Sequence, residues 1–176
     1  MSNPECEPRF GRWWAVIGPG EGRSWWQPLP SRGFVEVALD PSTSPYDGFS
    51  CGTQLLPPGC SVREHGHQRN HELIHVIAGT GRAEIEDHCY ALVPGTTLLF
   101  GRHARHLIEN SGTADMTLFW VFMPPGLEHW FEAIGRARRP GEPMPPPFER
   151  PADVADIQAQ MRFVPPRPRR CGHSAG

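Results

Sequence analysis

The sequence predicts an all-β domain, and three observations carry that prediction. First, eight or more short runs of strand length alternate with turns rich in Gly, Pro, Asp and Ser. Second, no helical periodicity interrupts these runs before residue 126. Third, 176 residues suffice for a single domain with its own hydrophobic core. Strands that follow one another through short turns indicate an antiparallel sandwich or barrel.

The individual runs are defined by their apolar residues and by the turns that separate them. Pro57-Pro58-Gly59, Pro94-Gly95 and Pro124-Pro125 mark three of these turns. The predicted strands are residues 13–17, 33–39, 49–56, 73–78, 81–86, 89–93, 96–100, 107–110 and 116–123.

The periodicity changes after residue 125. Apolar residues then recur at intervals of three, four and seven, which predicts a helix over residues 126–134 that ends at Gly135. The residues of that helical face are Leu127, Trp130, Phe131 and Ile134. A second helix is expected over residues 152–161, and an Arg- and Pro-rich disordered tail over residues 162–176.

We therefore expect three parts: an N-terminal arm with the first strands at residues 1–44, the barrel at 45–124, and the C-terminal helices and tail at 125–176. Four of the six tryptophans precede residue 45. They are interpreted as an arm that packs on the barrel or on a second subunit; a ligand-stacking surface is the alternative.

Composition excludes several classes of function. The net charge of −2 indicates neither a nucleic-acid partner nor a membrane partner. All 17 basic residues are arginine, so the chain lacks the lysine that Schiff-base chemistry needs. The five cysteines form no C-x-x-C pair, and no secretory signal or long apolar run is present, so a cytoplasmic protein is expected.

Two segments carry residues that suit a metal. His65 and His67 are two residues apart, so both side chains point to the same face of a strand. Glu72 follows across a polar turn, and His106 precedes another strand. Three imidazoles and one carboxylate are suitable ligands for a divalent transition metal.

These residues resemble the two motifs of the cupin family. The first motif, G-x5-H-x-H-x4-E-x6-G, is matched at every defined position. Those positions are Gly59, His65, His67, Glu72 and Gly79. The second, G-x5-P-x-G-x2-H-x3-N, is matched at Gly95, His106 and Asn110, while Gly101 replaces its proline and His103 its inner glycine. The resemblance covers roughly residues 49–123.

The resemblance implies a cupin jelly-roll barrel that binds one divalent metal (Fe, Mn, Ni, Co or Zn) through His65, His67, Glu72 and His106. It also implies a homodimer and a small-molecule substrate. The corresponding functional hypothesis is a dioxygenase-like oxidoreductase that acts on an enolisable or aromatic compound, with Glu72 as both ligand and catalytic base. The alternatives are a non-redox isomerase, lyase or polyketide cyclase, and a non-catalytic, metal-stabilised binding domain.

The remaining histidines near the motifs receive separate predictions. His75 is an odd number of residues from Glu72 and should face away from the metal. His71 and His103 are expected on turns near the mouth of the site, where either one is a solvated side chain or, as the alternative, a proton shuttle.

Overall fold

The computed structural model describes residues 10–11 and 14–167, which form fourteen strands and two short helices. The strands are β1 (Phe10–Gly11), β2 (Trp14–Ala15), β3 (Arg23–Trp26), β4 (Phe34–Leu39), β5 (Ser50–Leu56), β6 (Ser61–His67), β7 (His71–Ala78), β8 (Gly81–Ile85), β9 (His88–Leu92), β10 (Thr97–Phe100), β11 (His106–Glu109), β12 (Met116–Met123), β13 (Arg136–Ala137) and β14 (Phe163–Val164). The helices are α1 (His129–Ile134) and α2 (Val154–Gln160). Neither helix is long or apolar enough to span a membrane.

The strands form two large antiparallel sheets that share one core. The first has the order β10-β7-β12-β5-β4-β3-β13, and the second the order β14-β6-β11-β8-β9. A single cluster of buried side chains draws on both sheets, for example Val35 and Leu118 from the first and Ala83 and Ile108 from the second. The predicted all-β jelly-roll class is confirmed, although the two sheets remain separate ladders and do not close into one barrel.

Strand β12 shows how the sequence produces this sandwich. Its residues alternate between buried and half-buried along the whole strand, as expected for a central strand with one face on the core. The buried side chains are Met116, Leu118, Trp120 and Phe122. Trp120 and Phe122 lie towards the end of the strand that carries the candidate site.

Residues 1–44 contribute two strands, β3 and β4, to the first sheet. Strand β3, which the sequence pattern did not predict, pairs with β4, and β4 pairs with β5. Trp25 and Trp26 of β3 are consequently buried within the sheet. Trp14, in contrast, is exposed, and Trp13 lies outside the described residues.

Helix α1 begins at His129, three residues later than predicted, because the residues before it form a hydrogen-bonded turn around Glu128. The Glu128 carboxylate accepts hydrogen bonds from the backbone N–H of Gly126 (2.6 Å) and from the Ser50 hydroxyl (2.7 Å). The helix ends at Gly135 as predicted, but in an extended conformation. A side chain is excluded there, since a Cβ atom would lie 2.4 Å from the Phe131 carbonyl oxygen.

The expectation of a disordered tail from residue 162 is wrong for residues 162–167. Phe163 and Val164 pair with His67 and Gly66 of β6, which adds an edge strand to the second sheet. Arg167 then binds the Glu64 carboxylate at 2.8 Å. These backbone pairs and this ion pair hold the segment in place. Residues 168–176 lie outside the described part of the chain.

Candidate metal centre

Three neighbouring strands bring the predicted ligands together. His65 and His67 lie on the same side of β6, and His106 of β11 is the direct antiparallel partner of His65. Gly66 stands between the two histidines, and a Cβ atom there would lie 2.9 Å from the Ala104 carbonyl oxygen. Glycine at this position therefore allows the loop before β11 to approach β6 closely.

Strand β7 contributes the carboxylate. Glu72, Ile74 and Val76 alternate inward and are buried. His75 faces the other way, as predicted, and its Nδ1 lies 2.8 Å from the Thr97 hydroxyl. The sequence spacing thus predicted correctly which side chains of β7 face the site.

The two histidines expected on turns differ from each other. His103 does lie on a turn, with φ at +68°, a conformation that favours glycine. That finding explains why the second cupin motif has glycine at this position. His71 was placed wrongly, because it is the first residue of β7 and pairs with Met123. Both side chains are exposed.

The four predicted ligands form a compact cluster. One donor atom from each of His65, His67, Glu72 and His106 lies within 4.8 Å of the others. Glu72 Oε2 lies 2.8 Å from His67 Nε2 and 3.0 Å from His106 Nε2. His67, Glu72 and His106 are buried, and His65 is half-buried at the cavity wall.

Hydrogen bonds outside the cluster determine how two of the imidazoles are oriented. Nδ1–H of His65 donates to the Arg63 carbonyl (2.8 Å), and Nδ1–H of His106 donates to the Ala104 carbonyl (3.1 Å). Because a carbonyl only accepts, each Nδ1 carries the proton and each Nε2 keeps its lone pair. His106 is also stacked on Phe100 at 3.8 Å between ring centroids. Such outer hydrogen bonds are typical of metal-ligating histidines.

The protonation states of Glu72 and His65 also favour the binding of a cation. Burial alone would raise the pKa of Glu72, but the close contacts of its Oε2 with His106 and His67 outweigh it and lower that pKa well below its usual range. Burial, followed by the neighbouring His106 and His67, lowers the pKa of His65 well below its usual value. At neutral pH the site therefore presents an ionised carboxylate and a neutral His65 imidazole, the forms that bind metals.

The donor set fits a divalent transition metal. It has three nitrogens and one oxygen, with no thiolate, and is enclosed on several sides by protein. Within the described residues, the buried atoms His67 Nδ1 and His106 Nε2 lack a hydrogen-bond partner. A cation bound to His106 Nε2 would supply the missing partner of one of these two atoms.

The cluster lies in the wall of an open cavity of about 1300 Å³ between the two sheets. Phe122, the antiparallel partner of Glu72, has its ring 5.8 Å from that of His67. Phe163, the partner of His67, has its ring 5.2 Å from the same imidazole. The metal centre is thus bordered by aromatic side chains on two sides.

Sequence reasoning missed several residues of this cavity. Phe163 and Arg150 lie in the Arg- and Pro-rich C-terminal region, where no local pattern distinguishes them. The indole N–H of Trp120 is buried in the cavity wall without a hydrogen-bond partner among the described residues. The apolar run of β12 predicted a strand but not a free donor within it.

Comparison with known proteins agrees with the fold and with the motifs. Residues 52–122 match the family described as the cupin domain. Protein SchB of Streptomyces halstedii is 29% identical over 101 residues, which cover 55% of this chain and 73% of that protein. The 5-nitrosalicylic acid 1,2-dioxygenase of a Bradyrhizobium species is 30% identical over 87 residues, which cover 49% of this chain and 41% of the dioxygenase, less than half of its length.

Solved structures show the same architecture. KdgF from a Halomonas species superimposes with a TM-score of 0.52 at 17% identity, over 60% of this chain and 89% of KdgF. A predicted oxalate decarboxylase from Thermotoga maritima gives a TM-score of 0.55 at 23% identity, over 62% of this chain and 99% of that protein. At these identities the similarity concerns the fold alone.

Proposed function

Because the chain carries a cupin domain at residues 52–122, we propose that it is a metal-dependent oxygenase. In this proposal it acts on a small enolisable or aromatic compound with a dioxygenase-like reaction. The observation that carries the proposal is the three-histidine, one-glutamate cluster at the wall of an aromatic-lined cavity. The distant similarity to a named dioxygenase supports the same class.

His65, His67, Glu72 and His106 are the residues that would hold the metal. A divalent, redox-active ion such as Fe, Mn, Ni or Co supplies Lewis acidity and electron transfer to dioxygen at such a site. The hydrogen bonds from Nδ1 of His65 and His106 keep the two imidazoles oriented with Nε2 towards the centre.

Glu72 is proposed to accept the substrate proton. Its Oε2 lies against His67 and His106, which leaves the other carboxylate oxygen available for the substrate. A carboxylate base suits an acidic proton, such as that of an enol or a phenol, better than an unactivated C–H group.

The apolar side chains around the cluster serve to exclude water. Phe122 and Phe163 flank His67, and Phe131 packs against Phe122 and Trp120. A low-dielectric wall strengthens electrostatic interactions between the cluster and a bound substrate. It also favours flat, aromatic ligands over highly hydrated ones.

The proposal is tested by elemental analysis of the purified protein, followed by oxygen-electrode assays with that metal restored. Flavonols, β-diketones and salicylates are the substrates to screen. We expect one ion per chain and oxygen uptake with at least one class, lost in His67→Ala and retained in the matched control His75→Ala. Turnover without oxygen uptake would assign the site to a non-redox isomerase, lyase or cyclase. A wild-type protein without metal or turnover contradicts an enzymatic role.

A further inference from the structure

The acidic side chains that line the cavity are all paired with other residues. Glu72 contacts two histidines of the metal cluster. Glu64 and Asp87 both pair with Arg167, at 2.8 and 2.5 Å. Glu84 lies 3.4 Å from Arg82. None of these carboxylates is therefore left to neutralise a further cation in the cavity.

Two cations in the cavity wall nevertheless have no acidic partner. Arg63 and Arg150 both line the cavity, and within residues 10–11 and 14–167 neither forms an ion pair. Nε of Arg150 is buried and has no hydrogen-bond partner in that part of the chain. Its guanidinium lies 5.5 Å from the ring of Trp130.

The electrostatic situation of Arg150 is unfavourable in the absence of an anion. Burial, followed by the nearby charge of Arg63, lowers the pKa of Arg150 to about 10. The side chain is still charged at neutral pH. A partly buried cation beside a second cation, with an unsatisfied donor, is destabilised until a negative group reaches it. The planar guanidinium is well suited to bind a carboxylate.

A continuous aromatic wall connects Arg150 with the metal cluster. The ring of Phe163 lies 5.5 Å from that of His65, and the ring of Trp130 lies 4.9 Å from that of Phe163. The guanidinium of Arg150 follows beyond Trp130. Two aromatic side chains, Phe163 and Trp130, thus form the contact path between the cation and the histidines.

We infer that Arg150, with Arg63 beside it, is an anion subsite, and that the cavity binds an elongated aromatic carboxylate. The ring system lies along Phe163 and Trp130, the carboxylate lies at Arg150, and the opposite end reaches the histidine–glutamate cluster. The inference depends on the proposed function only for what happens at that opposite end. The substrate class that the C-terminal segment selects is therefore the elongated aromatic carboxylates.

The test compares two probes that differ in charge but hardly in shape, 2-naphthoate and 2-naphthamide. Their affinities for the metal-loaded protein are measured by titration calorimetry. We expect 2-naphthoate to bind at least about tenfold more tightly, since a charge-assisted hydrogen bond replaces a neutral one. Arg150→Gln should abolish this preference without changing the affinity for 2-naphthamide. The matched control Arg139→Gln, at an exposed position, should retain it.

Two further measurements keep the inference distinct from the proposed function. Arg63→Gln, on an exposed position of β6, should reduce the preference by a few fold even if Arg150→Gln proves unstable. Chelator-treated wild-type protein should keep its preference for 2-naphthoate, because the carboxylate is bound by arginine and not by the metal. If the protein proves to consume no oxygen, the proposed function fails, but this binding preference is still expected.

Three outcomes would overturn the inference. The first is equal binding of the two probes, or no binding of either, by the wild-type protein. The second is an unchanged preference in a folded Arg150→Gln variant. The third is a preference that disappears with the metal, which would place the carboxylate at the metal cluster.

Discussion

The two ends of the cavity are built in different ways. At one end, His65, His67, Glu72 and His106 come from the adjacent strands β6 and β11 and from the facing strand β7, and their positions are fixed by strand register. At the other end, the lining residues come from helix α1 and from the segment before α2, while Phe163 of the two-residue strand β14 lies between the two ends. The proposed metal ligands therefore lie on regular paired strands, whereas the residues proposed to select the substrate lie on peripheral segments.

The largest effect is expected from removing a ligand at the rigid end. His106→Ala should weaken metal affinity by at least about a hundredfold, because one of four donors is lost from a site that offers no replacement. Metal titration of the purified protein measures this change. His103→Gly is the matched control: it removes an exposed histidine three residues away and should leave the affinity unchanged. If His103→Gly is the variant that loses metal, the assignment of the fourth ligand is wrong.

Removing the metal itself should produce the next largest effect. The ligands connect strands of both sheets, so a bound ion stabilises the folded state. At a metal concentration a thousand times Kd the contribution is about 4 kcal/mol. Chelation should then lower Tm by about 10 °C, as measured by differential scanning calorimetry. An unchanged Tm after complete metal removal would show that the ion contributes nothing to stability.

A smaller effect is expected at Phe163, which lies between the metal cluster and Trp130. Phe163→Ala removes a half-buried ring from the edge strand, which should cost about 1–2 kcal/mol in the free energy of unfolding. Metal stoichiometry should remain at the wild-type value, while KM for an aromatic substrate should rise. Urea unfolding and metal analysis measure the two properties separately. Loss of metal from this variant would show that the metal site depends on the peripheral edge strand.

The smallest effect is expected on the outer face of β7. His75→Ala removes a side chain whose one hydrogen bond within residues 10–11 and 14–167 is to Thr97, so stability should change by less than about 0.5 kcal/mol. Metal content should equal that of the wild type. A large loss of metal would mean that β7 presents its opposite face to the site.

The sequence was most informative where a spacing rule applies. Strand alternation predicted that His65 and His67 share one face and that His75 faces away from Glu72. The strand β12 was predicted with the bounds it has in the structure, from an apolar run that ends at two prolines. These predictions succeeded because neighbouring residues determine which way a strand side chain points.

The remaining features depend on contacts between distant segments. Strand β3 was missed because Ser24, Trp25 and Trp26 are all buried, so no alternation is visible. Strand β14 was missed because a two-residue strand forms only when β6 offers a free edge. Arg150 could not be distinguished from the other arginines of its region. It lacks an acidic partner because the cavity carboxylates Glu64 and Asp87 are already paired with another arginine, and the sequence does not show that pairing.

The central claim is that four side chains hold one transition-metal ion. X-ray absorption spectroscopy of the purified, metal-loaded protein tests it most directly, together with metal quantification. We expect one ion per chain, with three imidazole nitrogens and at least one oxygen as nearest neighbours and no sulfur. An ion without imidazole ligands, or a protein that binds no ion at all, would contradict it.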